Sequence, residues 1–219
     1  MPKKDIHAVI TGDIIKSTAI DHNYHQILQA IADEIRAYRD KDFLFEVYRG
    51  DSFQALVKQP EDALKVSIII RAGLRRHSRS SSVDDAWDAR ISIGIGQANI
   101  VANAKLGELT GEAFIRSGRT LDAMKKEGSR LKITTGEEQI DKEFEASCPL
   151  ADTIISRWTT SQSEAIYLNL LKKKTQKEIG EDLQTTQRAI SKRLESGNLN
   201  SMTNFFNRYR EVIKWKYSK

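Results

Sequence analysis

Apolar and polar positions fall into two rhythms along the chain. Alternation runs through IHAVI (6–10) and ARISIGIGQANI (89–100), the period of strands with one face on a core. FLFEVYR (43–49) and SFQALV (52–57) are two further strand patterns joined at Gly50-Asp51 with hairpin spacing, and RLKITT (130–135) is a last one. Tyr24, Ile27, Leu28, Ile31, Ile35 and Tyr38 recur at steps of three and four, which predicts an amphipathic helix. Pro60 opens a second helix that continues through EDALKVSIIIRAGLRRH (61–77), and GEAFIRSGRTLDAMKK (111–126) predicts a third. Between them SRSSSVDDAW (78–87) is a polar loop. Thr11-Gly12 breaks the first strand and delivers Asp13 just past its end.

Strand, helix, hairpin, helix, strand is the β-α-β-β-α-β order of an α+β, ferredoxin-like sheet, here with one helix and one strand appended. In that order the first strand is central and antiparallel to the third. Asp13 and Asp51 are therefore expected on one edge of the sheet. Two carboxylates so placed suit Mg²⁺, which takes a few carboxylates and completes its shell with water and phosphate oxygens. Ordinary turn chemistry, which favours aspartate, is the alternative. SIGIG (92–96) is too poor in glycine for a dinucleotide loop, and its small residues instead suit a close approach to the sheet.

The last third has a different character. SEAIYLNLL (163–171) is a helix pattern and KKK (172–174) breaks it. Thr175 caps TQKEIGEDL with Glu178 completing a capping box, and Thr186 caps QRAISKRL (187–194). Two short helices separated by Gln184, Thr185 and Thr186 have helix-turn-helix spacing. Ile179, Leu183 and Ile190 are the expected anchors, Gly180 allows close approach, and Gln184 stands where a turn glycine is usual. Gln187, Arg188, Ser191 and Lys192 are the side chains expected to meet bases and phosphates of DNA. A final helix (199–216) carries Met202, Phe205, Phe206, Tyr209, Val212 and Ile213 on one side.

Charge sharpens this division. Residues 1–150 hold 22 Lys and Arg against 23 Asp and Glu, whereas 151–219 hold 13 against 7, so the overall +5 comes from a tail of net +6. A basic module beside a near-neutral one is the footprint of nucleic-acid binding, with a solvated basic helix as the alternative. Apolar content of 39% and the absence of a run near the ~18 residues of a membrane span indicate a globular protein. The start, MPKKDIHAV, has no secretory pattern, and one cysteine, Cys148, forms no internal disulfide, so a cytoplasmic location is expected. His22 and His25 are spaced to clamp a metal, but no third ligand accompanies them.

GDIIKST (12–18), YRGDSFQALV (48–57), ARISIGIGQANI (89–100) and GEAFIRSGRTLDAMKK (111–126) together resemble the class III nucleotide cyclase catalytic domain. More closely, their order resembles the bacterial SatD family, whose members carry similar segments and end in a helix-turn-helix. The cyclase resemblance implies metal ligation at Asp13 and Asp51 and a phosphate-stabilising arginine at Arg119. The ribose-orienting asparagine position is Ile115, the base-reading position falls near Val47, and the acidic residue that follows the hairpin aspartate in diguanylate cyclases is Ser52. These departures argue against efficient cyclase chemistry, since a lost donor to developing charge costs ~10² to 10³ in rate.

The expectation is an N-terminal cyclase-like domain over 1–148 and a helix-turn-helix domain over 149–219, joined near Cys148-Pro149. The expected role is a homodimeric bacterial DNA-binding regulator that senses a nucleotide or other phosphorylated ligand. Asp13, Ser17, Arg49, Asp51 and Arg119 would hold that ligand, with Mg²⁺. A metal-dependent nucleotidyl cyclase or nucleotide hydrolase, and a ligand-free assembly protein, are the alternatives.

Overall fold

The computed structural model describes residues 5–16, 24–48, 50–78, 82–101 and 104–217. Five strands, β1 (Ile6–Ile14), β2 (Leu44–Val47), β3 (Ser52–Val57), β4 (Ala89–Gln97) and β5 (Leu131–Thr134), form one sheet in the order β2-β3-β1-β4-β5. β1 is antiparallel to both β3 and β4, and β4 and β5 are parallel. Helices α1 (Tyr24–Tyr38), α2 (Ala63–Arg76) and α3 (Glu112–Glu127) alternate with the strands, and a short 3₁₀ turn at Pro60–Asp62 precedes α2. The β-α-β-β-α-β order with an appended helix and strand is thus present.

One expectation about β1 is corrected. The strand does not break at Thr11-Gly12 but continues through Asp13 to Ile14, because neighbours on both sides keep pairing with it: Gly12 faces Phe53 and Ile91, and Asp13 faces Ser52 and Arg90. Gly12 serves packing rather than termination. A Cβ there would lie 2.4 Å from the Phe53 ring.

Along β1, Ala8, Ile10 and Ile14 join the core beneath α1 and α2. Val9, on the opposite face, packs with Leu56, Leu106, Leu109 and Ala113 beneath α3. α3 crosses β4 closely at the SIGIG stretch, where a Cβ on Gly94 would stand 2.3 Å from the Ala113 carbonyl oxygen. Of the predicted apolar face of α1, Tyr24, Leu28, Ile31 and Ile35 are buried, whereas Tyr38 is exposed.

Five further helices follow: α4 (Glu138–Ile155), α5 (Thr160–Lys172), α6 (Gln176–Asp182), α7 (Gln187–Ser196) and α8 (Leu199–Tyr217). α4, which the sequence pattern did not predict, runs unbroken past Pro149, so the join expected near Cys148-Pro149 falls inside a helix. Ile140, Phe144, Cys148, Ala151 and Ile155 form its buried stripe. One apolar cluster extends from the sheet through α4 and α5 to Ile179, Ile190, Leu194 and Tyr209. α8 is fastened by the Tyr209 hydroxyl, which donates to the Pro60 carbonyl at 2.7 Å, and by Arg208 on Glu143. Among the described residues no helix is long and apolar enough to cross a membrane.

Candidate functional site

Asp13 and Asp51 do come together. The Ile14 amide donates to the Asp51 carbonyl at 3.0 Å, so the hairpin tip abuts the end of β1, as the strand order predicts. Asp13 is nearly buried, at 6% exposure. Both its carboxylate oxygens accept from Arg90 Nη1 at 3.0 Å, and Lys125 Nζ of α3 lies 3.4 Å away. Arg90 stands directly across the β1–β4 pairing from Asp13, which makes the pair a cross-strand ion bridge.

This arrangement bears on the metal expectation. Two carboxylates at one edge are suitable donors for magnesium, but a divalent ion on Asp13 would stand beside two positive charges already bound to it. The residues as arranged make an ion-paired carboxylate and do not fit an open Mg²⁺ site. Among the described residues no group of three or more His, Cys, Asp or Glu is placed to hold a metal. His25 stacks on Tyr24 with ring centroids 4.6 Å apart, and His22 lies outside the described residues.

Other predicted ligand residues divide. Ser17 and Arg49 lie outside the described residues. Arg119 is exposed on α3 and makes no ion pair among the described residues, and Ile115 on the same helix is 53% exposed. Beside Asp13 runs a polar relay that the sequence did not suggest. The Tyr48 hydroxyl donates to Gln54 at 2.9 Å, the Gln54 amide to Thr11 at 3.2 Å, and the Thr11 hydroxyl to Ser117 at 2.8 Å. Burial, reinforced by Glu46, pushes the Tyr48 phenol up to about 12, so it remains a neutral donor at physiological pH. The relay links β3, β1 and α3 across the face next to the two aspartates.

Behind this edge lies a buried charge network. Arg71 and Arg75 of α2 are fully buried, and Asp88, just before β4, is 1% exposed. Arg71 grips Asp88 through two bonds, Nε at 2.8 Å and Nη2 at 2.9 Å, and also meets Asp152 of α4. Arg75 donates to Asp88 at 3.2 Å and to the carbonyls of Ser156 and Trp158, and Arg130 Nη1 reaches Asp88 at 3.2 Å. Burial opposes ionisation of Asp88, but Arg71 and its neighbours outweigh it and hold the carboxyl below its ordinary range. The Asp88 carbonyl accepts from Ile15 at 2.9 Å, so the network also anchors the segment after Asp13.

In the C-terminal helices, Thr175 accepts from the Glu178 amide at 3.3 Å while Glu178 accepts from the Thr175 amide at 2.7 Å, which completes the expected capping box. Thr186 caps α7 through the Ala189 amide at 3.1 Å. A Cβ on Gly180 would meet the Thr185 carbonyl at 3.0 Å, so the turn 183–186 lies tight against α6. Gln184 takes the left-handed conformation, φ 49°, that glycine adopts without strain. Gln187, Arg188 and Lys192 are exposed on α7, and neither cation makes an ion pair among the described residues. Ser191 is instead half-buried, beside a groove lined by Asn169, Gln176 and Thr203.

The SatD family model matches residues 7–212, nearly the whole chain. The chain belongs to the SatD family. Among solved structures, this SatD-family chain is similar to an adenylate/guanylate cyclase/hydrolase from Silicibacter pomeroyi, with 16% identity, TM-score 0.42, and coverage of 53% of this chain and 69% of that one. It is also similar to a bacterial light-regulated adenylyl cyclase, with 15% identity, TM-score 0.43 and coverage of 60% and 77%. The active GGEEF domain of a diguanylate cyclase from Vibrio cholerae matches with 13% identity, TM-score 0.40 and coverage of 60% and 83%. No curated protein matches the chain.

Proposed function

We propose that this SatD-family protein is a homodimeric DNA-binding regulator. In this reading α6 and α7 form a helix-turn-helix whose second helix meets DNA. The observation that carries it is the contrast along α7: Ile190 and Leu194 are buried, while Gln187, Arg188 and Lys192 stand exposed with no ion pair on either cation among the described residues. A helix so seated offers its start to a major groove, where arginine and glutamine read base edges and lysine meets phosphate. The net +6 of residues 151–219 favours approach to a polyanion. Fluorescence anisotropy with a labelled duplex at low salt tests this. Binding that weakens in Arg188→Ala and Lys192→Ala is expected, and no binding by the wild type refutes it.

A second reading, nucleotidyl transfer or hydrolysis, is favoured by the contact between the end of β1 and the Asp51 tip. It requires turnover of a nucleoside triphosphate that disappears in Asp51→Ala. The pairing of Asp13 with Arg90 and Lys125 places this reading second.

A further inference from the structure

A cavity of about 310 Å³ lies where the end of α1, the end of β3 and the start of α2 meet the end of α5 and the side of α8. It is unrelated to the Asp13 edge, and its lining is unusual. Four cations, Arg39, Lys65, Lys173 and Arg210, face two carboxylates, Asp40 and Asp62. Arg210 bonds Asp62 at 3.2 Å, which satisfies that pair. Arg39, Lys65 and Lys173 make no ion pair among the described residues, and Asp40 is engaged by the Asp42 amide at 2.9 Å.

Two details suit these cations to an anion. Arg39 Nη1 is buried with no hydrogen-bond partner among the described residues, a costly condition for a guanidinium donor. Burial, then repulsion from Arg39, depresses Lys65 below its ordinary range; Asp62 opposes the shift, while Lys173 and Arg210 add to the repulsion, so the carboxylate offsets the crowding only in part. Packing does not require such an arrangement, because like charges drawn together in a partly closed space destabilise the fold that holds them.

We propose that this cavity is a binding site for a small phosphate-bearing molecule, with Arg39, Lys65 and Lys173 as the phosphate ligands. Concavity distinguishes a small ligand from a duplex backbone, which would reach only the exposed cations and leave the buried Arg39 nitrogen unmet. The volume is at the small end of ligand pockets. Val57 and Val66 supply apolar wall, and the half-exposed ring of Tyr38 stands at the rim. Such a ligand would touch α1, α2, α5 and α8 at once, and so would bridge the sheet's helical layer to the C-terminal helices.

The test is calorimetric titration of the full chain with inorganic pyrophosphate at fixed ionic strength, for the wild type, Lys65→Met, Arg39→Met, Lys173→Met and Asp13→Asn. Saturable binding is expected in the wild type and Asp13→Asn, weakened about tenfold or more in each of the three cavity variants. Without pyrophosphate, Lys65→Met and Arg39→Met are expected to melt no lower than the wild type, because they relieve repulsion. Lys173 is exposed, so its variant gives the same answer if the substitution at half-buried Arg39 or Lys65 impairs folding. Absence of binding to the wild type at millimolar pyrophosphate overturns the proposal. Equal affinity in the wild type and all three cavity variants, or a loss confined to Asp13→Asn, also overturns it.

Discussion

Arg71 and Arg75 in α2, and Arg188 and Lys192 in α7, are cations on helices of one chain with opposite circumstances. The first two are fully buried and bonded to Asp88, with further contacts to Asp152 and to the Ser156 and Trp158 carbonyls in the link between α4 and α5. The second two are exposed and unpaired among the described residues. An interior cation must be matched, or its desolvation is uncompensated. A surface cation carries no such obligation, so the fold leaves it available to a partner. Charge on this protein is therefore structural where α2, β4 and α4 meet, and available for binding on α7.

The largest effect should come from cutting the interior set at its centre. Asp88→Asn leaves Arg71, Arg75 and Arg130 facing a neutral amide, and removal of one partner from a buried pair costs about 3–5 kcal/mol. Denaturant unfolding of the variant should show most of that loss. The same group sets an acid limit. Because its native carboxyl is held low by Arg71, Asp88 contributes stability that is whole at neutral pH, begins to decline as pH falls below about 4, and is gone below its native value. Asp88→Asn should lack this component of the acid decline. Equal acid sensitivity in both proteins would remove Asp88 as its source.

Asp13 is the intermediate case. Its carboxylate is nearly buried, but Arg90 and Lys125 retain 18% and 45% side-chain exposure, so water substitutes in part when it is neutralised. Asp13→Asn should cost about 1–3 kcal/mol, less than Asp88→Asn. Adding Mg²⁺ should leave the wild-type melting temperature unchanged. A magnesium-dependent rise that Asp13→Asn abolishes would instead show that a divalent ion displaces Lys125, and would restore the enzymatic reading.

Much of the fold was legible because alternation and helical spacing are local signals. The placement of Asp13 beside Asp51 followed from topology alone. What the sequence hid was nonlocal. Arg90 in ARISIGIGQ becomes Asp13's partner only through the β1–β4 register, which no local pattern states. Asp88 ends a polar loop and resembles a solvated residue, while Arg71 and Arg75 sit in RAGLRR, which resembles a solvated helix end. Their burial arises only when α4 and α5 close over them. α4 itself was obscured by Cys148-Pro149, since proline is expected to interrupt a helix. Of the predicted DNA-facing residues, Ser191 turned inward because it lies over the side of α7 that meets α5 and α8.

A smaller effect, of the opposite sign, is expected in the turn that sets α7 on α6. Gln184 pays for its left-handed backbone, and Gln184→Gly should stabilise the protein by about 1 kcal/mol, read as a higher denaturant midpoint with an unchanged slope. If the midpoint falls, the Gln184 side chain makes a compensating contact in solution, and the turn is not under strain.

The smallest effect on folding should come from the exposed cations. Arg188→Ala and Lys192→Ala, singly or together, should move unfolding free energy by no more than about 0.5 kcal/mol, as surface changes away from caps and pairs do. Binding should respond quite differently. If Lys192 meets a phosphate, its removal should weaken binding to all duplexes alike and reduce the salt slope by about 1. If Arg188 reads a base edge, its removal should cost about 1–3 kcal/mol on the preferred duplex and less on others, narrowing the difference between them. The two outcomes separate phosphate contact from base reading within one helix. A stability loss comparable to that of Asp88→Asn would instead mean that these cations are structural after all, and α7 would lose its claim to DNA.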